Sequence, residues 1–264
     1  FIKQDFELNF SRFRLRISGG GYKRGISYML QDINEISDGK IYGVHDMVRV
    51  GCSDCEGCHS CCEQMGDTVL VDPYDCKRLE TELGMGFEQL MQSCVGLHVE
   101  EGLIVPHLKM QEQTDTCVFL NEVGRCSIHA YRPGICRLFP LGRIYEEQGV
   151  SYFLQSGACE RGKTKIKVEK WLDTPQLKRY QQFLAEWHSL KKNMQEYLSR
   201  LNTEDEKKTV CMMFLQIFFF RPYESGRDFY EEWEERSILK PQLAISQEVL
   251  ENPARHKLEN KSDV

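Results

Sequence analysis

The segment GCSDCEGCHSCC, residues 51–62, carries five cysteines within twelve positions. They are Cys52, Cys55, Cys58, Cys61 and Cys62. A Cys-x2-Cys step lets two thiolates of one turn converge on a single soft or borderline metal, chiefly zinc or the iron of an iron-sulfur cluster. The repeated step is close to the bacterial ferredoxin run, although no proline follows Cys62. The segment therefore predicts a metal site.

Further thiols follow at wider spacing, and four of them continue the pattern: Cys117, Cys126, Cys136 and Cys159. Consecutive side chains usually point apart, so we expect Cys61 and Cys62 to serve two neighbouring centres. Eight thiolates could fill two four-ligand sites, but a cluster plus a zinc ion, or one polynuclear site, fits the count equally well. His59 and His129 lie in the same stretches and could replace a thiolate.

The remaining cysteines are expected to be packing residues. Cys76 and Cys94 lie on predicted helices, and Cys211 lies inside the apolar run VCMMFLQIFFF.

Charge and hydropathy exclude several classes of protein. The net charge of -6 argues against an electrostatic nucleic-acid binder. The first 25 residues contain no apolar stretch typical of a secretory signal, and the apolar run at 210–220 is about half of a membrane span. We therefore expect a cytoplasmic protein without a membrane anchor, in which thiols stay reduced and favour metal binding over disulfides. The chain begins with Phe1, and a start at Met29 would leave residues 1–28 outside the native protein.

Short elements must position the thiols. Asp72 and Pro73 predict the start of a helix that ends near Gly84, and a second short helix is expected from Gly86. Turn residues predict three β-hairpins, around 101–102, 123–124 and 148–149. Ribbons of this size bury little apolar surface, so a bound metal would have to hold them.

Beyond Trp171 the apolar period becomes helical. One helix of roughly 25 residues is expected from Thr174-Pro175, a second from about 202 to 220, and a third over roughly 226–239. The predicted fold is α+β, mainly α: a Cys-rich, metal-stabilised domain with short helices and small hairpins, then a C-terminal helical region. The predicted regions are an N-terminal extension (1–44), the cysteine-cluster domain (45–172), the helical region (173–245) and a polar tail (246–264).

CEGCHSCC at 55–62, followed by CVFLNEVGRCSIHAYRPGICRLFP at 117–140 and a later Cys159, resembles the YkgJ cysteine-cluster family, a zinc- or iron-chelating domain. The resemblance covers roughly 45–172. It implies eight metal ligands, with Cys52 as a spare: Cys55, Cys58, Cys61, Cys62, Cys117, Cys126, Cys136 and Cys159. One branch with a similar motif, the flagellin lysine N-methylases, is associated with an iron-sulfur cluster and S-adenosylmethionine, which would make flagellin a partner.

Three functions therefore remain open. The first is a protein with one or two iron-sulfur clusters, [4Fe-4S] by preference, in a redox, carrier or regulatory role. The second is a zinc-stabilised interaction module. The third is a cluster-dependent protein-lysine methylase that uses S-adenosylmethionine, although no methyl-donor motif is visible in the sequence.

The segment RPGICRLFPLGR adds three cations beside the expected ligands: Arg132, Arg137 and Arg143. Near an anionic cluster they would offset charge and raise a reduction potential, whereas on the surface they would form ordinary ion pairs. The two prolines of this segment confine a short helix that should aim Cys136 inward.

Overall fold

Three small antiparallel sheets form the β part of the described chain. The computed structural model describes residues 36–51, 59–146, 149–158 and 163–238. Strand β1 (Ser37–Tyr42) and strand β2 (Met47–Gly51) come first in the chain. The other strands are β3 (Val95–Glu100), β4 (Leu103–Leu108), β5 (Leu141–Glu146), β6 (Gly149–Gln155) and β7 (Lys163–Lys167). Strand β1 lies at the edge of a three-stranded sheet with the order β1-β6-β5, and β2 pairs with β7, near the end of the cysteine-rich region.

Two of the three predicted hairpins are confirmed. Strands β3 and β4 pair antiparallel from Val95 opposite Leu108 to Glu100 opposite Leu103, and β5 pairs with β6 in the same way. The prediction of strands on either side of residues 123–124 is wrong. That segment has only a tight turn, closed by Asn121 and Arg125, and one isolated bridge. Only Leu120 and Cys126 pair across this turn, and one pair of residues is too few for a β-ladder.

The first two helices begin and end where their capping residues predict. Helix α1 (Pro73–Leu83) starts at Asp72, whose carboxylate accepts a hydrogen bond from the backbone N–H of Asp75 at 2.8 Å. It ends at Gly84, whose φ of 64° is left-handed. Helix α2 (Phe87–Ser93) follows at once.

Five further α-helices follow in the described chain: α3 (Gly134–Leu138), α4 (Val168–Leu172), α5 (Leu177–Arg200), α6 (Glu204–Leu215) and α7 (Phe229–Ile238). The long helix predicted from Thr174-Pro175 is confirmed as α5, of 24 residues. Helix α6 continues as a π-helical turn, Gln216–Phe220, as the predicted span to 220 requires. The third predicted helix starts three residues late, at Phe229.

The larger hydrophobic core draws on both halves of the chain. It contains Leu79 and Leu90 of the first two helices, Leu103 of β4, and Trp187 of α5 with Phe218 after α6. A smaller core joins β2, β5, β6 and α4. All described residues lie in one compact unit of the chain, residues 31–264.

The predicted fold class is confirmed: the chain is α+β and mainly α, with small antiparallel sheets and a C-terminal helical region. No helix of the described residues is long and apolar enough to span a membrane. Of the predicted N-terminal extension 1–44, residues 1–35, including Met29, lie outside the described residues, as does the predicted tail 246–264. The division into regions 45–172 and 173–245 stays a prediction.

Candidate metal centre

One pocket brings together five of the eight predicted thiols. Its wall also contains Arg125, His129 and Arg132. The other predicted ligands and the spare thiol lie outside the described residues: Cys52, Cys55, Cys58 and Cys159. The five thiols of the pocket, called the thiol pocket below, are Cys61, Cys62, Cys117, Cys126 and Cys136.

A 3₁₀ turn, Ser60–Cys62, places the adjacent pair. The backbone N–H of Cys62 donates to the carbonyl of His59 at 2.7 Å, and the N–H of Cys117 donates to the carbonyl of Cys62 at 2.6 Å. The Sγ atoms of Cys61 and Cys62 lie 3.8 Å apart. Both line one pocket, and the expectation that they serve two neighbouring centres stays a prediction. The tight turn brings the two sulfurs together.

Backbone hydrogen bonds reach two further sulfurs in the same local pattern. The sulfur of Cys117 accepts from the N–H of Phe119, and that of Cys126 accepts from the N–H of Ile128. A donor two residues after each cysteine stabilises the thiolate and fixes its direction. The turn at 121–125 connects the two, so it serves to aim thiols although it is not a hairpin.

Cys136 is aimed by an acidic residue that the sequence analysis missed. It lies on α3, whose five residues are too few to hold an orientation alone. The buried carboxylate of Asp75, on α1, accepts a hydrogen bond from the N–H of Gly134 at 2.8 Å. Because 59 residues separate the two, no local sequence pattern could have revealed this contact.

Cys61 is the thiol of the pocket whose pKa is lowered, and its charge affects the other thiols. Its hydrogen bond with Cys62 is the main cause that lowers the pKa of Cys61 to about 7, and the cation of Arg132 lowers it further. The same hydrogen bond raises the pKa of Cys62. Burial raises the pKa values of Cys117, to about 11, and of Cys126 and Cys136, and the charge of Cys61 adds to each rise. All five sulfurs therefore lie close enough to interact.

Only one of the three predicted cations, Arg132, lines the thiol pocket. The guanidinium of Arg137 lies 5.7 Å from the centre of the Tyr180 ring and opposes the rise that burial causes in the pKa of Asp75. Arg143 donates to the Tyr145 hydroxyl at 3.2 Å. Arg137 and Arg143 do not line the pocket. The expectation that these cations offset a cluster's charge stays a prediction.

The two candidate histidines have different surroundings. His129 lines the pocket, and its Nε2 accepts a hydrogen bond from Arg132. That contact occupies the lone pair a metal would need at Nε2. The Nδ1 of His59 lies 2.9 Å from the Glu63 carboxylate, beside the turn at Gly124. Their roles as ligands stay predictions.

The three cysteines that were expected to pack are buried in the larger core. Cys76 is fully buried, Cys94 is 4% exposed and Cys211 is 2% exposed. The thiol of Cys211 lies 3.5 Å from the carbonyl oxygen of Gly102. None of the three lines the thiol pocket.

The donor set of the thiol pocket fits a thiophilic metal. Five sulfurs, two backbone N–H groups that point at sulfur, and two cations in the pocket wall, Arg125 and Arg132, suit zinc or iron. Among the described residues, no three His, Cys, Asp or Glu side chains have the arrangement to hold an ion by themselves. The dense segment 52–58, with three further cysteines, belongs to the part of the chain that is not described.

Comparison with known proteins supports this chemistry for one region of the chain. No curated protein and no solved structure matches. Residues 54–160, which contain all eight predicted ligands but not Cys52, match the family model CxxCxxCC, a "putative zinc- or iron-chelating domain", and this match supports a metal-binding role.

Proposed function

We propose that the thiol pocket binds a zinc or iron ion through cysteine thiolates, and that the ion holds the cysteine loops together. The observation that carries the proposal is the convergence of five thiols, from four separate segments of the chain, on one pocket. In protein interiors such a concentration of sulfur is the donor set that zinc and iron take.

The loops around the pocket need a cross-link of this kind. Between β4 and α3 the described chain has isolated bridges and turns but no helix or strand longer than the three residues of a 3₁₀ turn. Such loops bury little apolar surface of their own. A metal bound by thiolates of several loops contributes its binding energy directly to folding.

Two residues of the pocket would help the thiolates to bind an ion. Thiolates are the form that binds a metal, and Cys61, with its lowered pKa, gives up its proton first. Arg132 then offsets the negative charge that the remaining thiolates bring.

The proposal is tested by anaerobic purification followed by measurement of zinc, iron and acid-labile sulfide per chain. We expect at least one equivalent of zinc or iron that survives gel filtration. A protein that is metal-free after anaerobic purification, and that takes up neither metal when titrated, would contradict the proposal.

An iron-sulfur cluster is the second candidate, and one observation favours it. Five thiols line the pocket, one more than a single tetrahedral ion uses, and the dense segment supplies further cysteines. Acid-labile sulfide equal to iron, with broad visible absorption, would support a cluster; zinc without sulfide would exclude it.

The methylase function, with S-adenosylmethionine and flagellin as its cofactor and partner, stays a prediction from the family resemblance. Calorimetry with S-adenosylmethionine tests it directly, and saturable binding is the result that it requires.

A further inference from the structure

We infer that the guanidinium groups of Arg78 and Arg137, together with the hydroxyl of Tyr180, bind a small oxyanion where α1, α3 and α5 meet. The ligand is an inorganic anion of the phosphate type or the carboxylate of a small molecule, which offer the same oxygen acceptors. None of the three residues lines the thiol pocket. The inference therefore goes beyond the proposed function and does not depend on a bound metal.

The guanidinium of Arg137 carries the inference. Arg137 is 4% exposed, and its Nε and both Nη atoms are buried without a hydrogen-bond partner of normal geometry. A buried cation with unpaired donors is costly, because it has lost its hydration without gaining acceptors in exchange. Its planar fork of N–H groups has the geometry that binds a carboxylate or a phosphate. Arg137 is therefore suited to bind an oxyanion from outside the chain.

The hydroxyl of Tyr180 lies beside this guanidinium. Tyr180 is 3% exposed, and its hydroxyl also has no aligned hydrogen-bond partner. A β-carbon at Gly134 would lie 2.0 Å from this hydroxyl oxygen and 3.7 Å from Nη2 of Arg137. Both polar groups therefore approach the same glycine, which leaves room for them because it has no side chain. Their donors converge on one place.

Arg78 supplies a second guanidinium and a route from solvent. Its Nη2 donates to the carbonyl of Ala130 at 2.9 Å, whereas Nη1 is buried without a partner. Burial, and then the charge of Arg137, lower the pKa of Arg78, so the two cations are close enough to repel each other. Because Arg78 is only half-buried, a small anion can reach the pair from its side.

The charges around the pair favour an anion over water. Three guanidinium groups and two carboxylates interact here: Arg78, Arg137, Arg143, Asp72 and Asp75. Three positive charges less two negative charges leave this group with one positive charge in excess. Ordered water could accept hydrogen bonds from the unpaired donors, but it would not neutralise that charge. An oxyanion does both.

Anion titrations of the anaerobically purified full chain test the inference. Phosphate and acetate are titrated separately by calorimetry at constant ionic strength, with chloride as the balancing salt. The variants are Arg78→Met, Tyr180→Phe and, as the matched control, Arg200→Met, which removes an exposed guanidinium at the end of α5. We expect saturable binding of at least one anion, weakened at least ~10-fold in Arg78→Met and less in Tyr180→Phe. Arg200→Met should bind as the wild type does.

The anion that binds identifies the ligand class, since phosphate and acetate distinguish an inorganic oxyanion from a carboxylate. A wild type that binds neither anion saturably overturns the inference. Equal affinities in Arg78→Met and Arg200→Met overturn it as well.

Diffraction from the wild type keeps the test valid if Arg78→Met fails to fold. Crystals are soaked in selenate or in bromoacetate, whose selenium or bromine gives an anomalous signal. We expect that signal beside the guanidinium groups of Arg78 and Arg137, and water alone at the Arg137 nitrogens after both soaks would overturn the inference. Metal analysis of the same protein keeps the two proposals apart. A metal-loaded chain without anion binding contradicts only this inference, whereas a chain that binds the anion but no metal contradicts only the proposed function.

Discussion

At the scale of single residues, Cys61 and Cys62 share a hydrogen bond that separates their proton affinities. The pKa of Cys61 falls to about 7, whereas that of Cys62 rises. Above about pH 7, the metal-free pair therefore keeps one proton, on Cys62. Because the ligand form is the thiolate, metal binding must release that proton, and its affinity should increase with pH.

The thiols differ in what a substitution would remove. Cys136→Ala takes a sulfur from the thiol pocket, and we expect loss of metal with unfolding of the cysteine loops. Cys211→Ala, the matched control, should keep the metal and cost about 1 kcal/mol in packing. Elemental analysis and urea unfolding of both variants check this prediction. Equal metal content in the two would contradict the assignment of Cys136.

At the scale of elements, helix α3 depends on helix α1. The N–H of Gly134 donates to Asp75, and the Arg137 cation lies near the same carboxylate. A helix of five residues gains its orientation from such contacts rather than from its own hydrogen bonds. Asp75 thus positions Cys136 without touching a metal.

Asp75→Ala should therefore lower metal affinity roughly 10-fold, which is the usual effect of mutating a residue that orients a metal ligand. Asp75→Asn keeps an acceptor for Gly134 and should lose less. Asp205→Ala, on the exposed first turn of α6, is the control. Metal affinity by chelator competition, with circular dichroism to monitor folding, measures the series. An affinity in Asp75→Ala equal to that of the control would show that Asp75 does not position the ligand.

Glu80 links α1 to the start of α2, where it accepts the N–H of Phe87. Burial raises its pKa to about 7, above the ordinary value near ~4.3 of the unfolded chain. Between these values the folded chain binds more protons than the unfolded one, so stability falls as pH rises from about 4 to about 7.

Glu80→Gln keeps the acceptor and removes the titration. At pH 8 we expect its free energy of unfolding to exceed that of the wild type by about 1–2 kcal/mol. Near pH 4.5 we expect little difference. Urea unfolding of both proteins at the two pH values measures this. A difference that does not change with pH would contradict the raised pKa of Glu80.

At the scale of the whole molecule, the helices and the cysteine loops are stabilised by different means. Helix α5 buries an aromatic and aliphatic face in the larger core, as its 3.6-residue period predicts. The loops around the thiol pocket have few backbone hydrogen bonds of regular structure. The metal should matter most for the loops.

Removal of the metal by a chelator is therefore expected to have a local effect first. Hydrogen exchange should accelerate in residues 109–136 while α5 keeps its protection, and the melting temperature should fall. Exchange measured by mass spectrometry with and without chelator tests this. Identical exchange of residues 109–136 in the two states would contradict a stabilising metal.

The sequence predicted the elements with strong local signals. Asp72, Pro73 and Gly84 mark the limits of α1, and the apolar period beyond Trp171 marks α5. Contacts between distant residues could not be predicted, because nothing near Gly134 indicates its bond to Asp75. The direction of adjacent side chains was also beyond the sequence: only the 3₁₀ turn explains why the sulfurs of Cys61 and Cys62 converge.

X-ray absorption at the zinc and iron edges of the anaerobically purified protein tests the central claim most directly. If thiolates of this pocket bind the metal, its first shell consists mainly of sulfur at ~2.3 Å. A first shell of nitrogen and oxygen alone, or the absence of a bound metal, would contradict the claim.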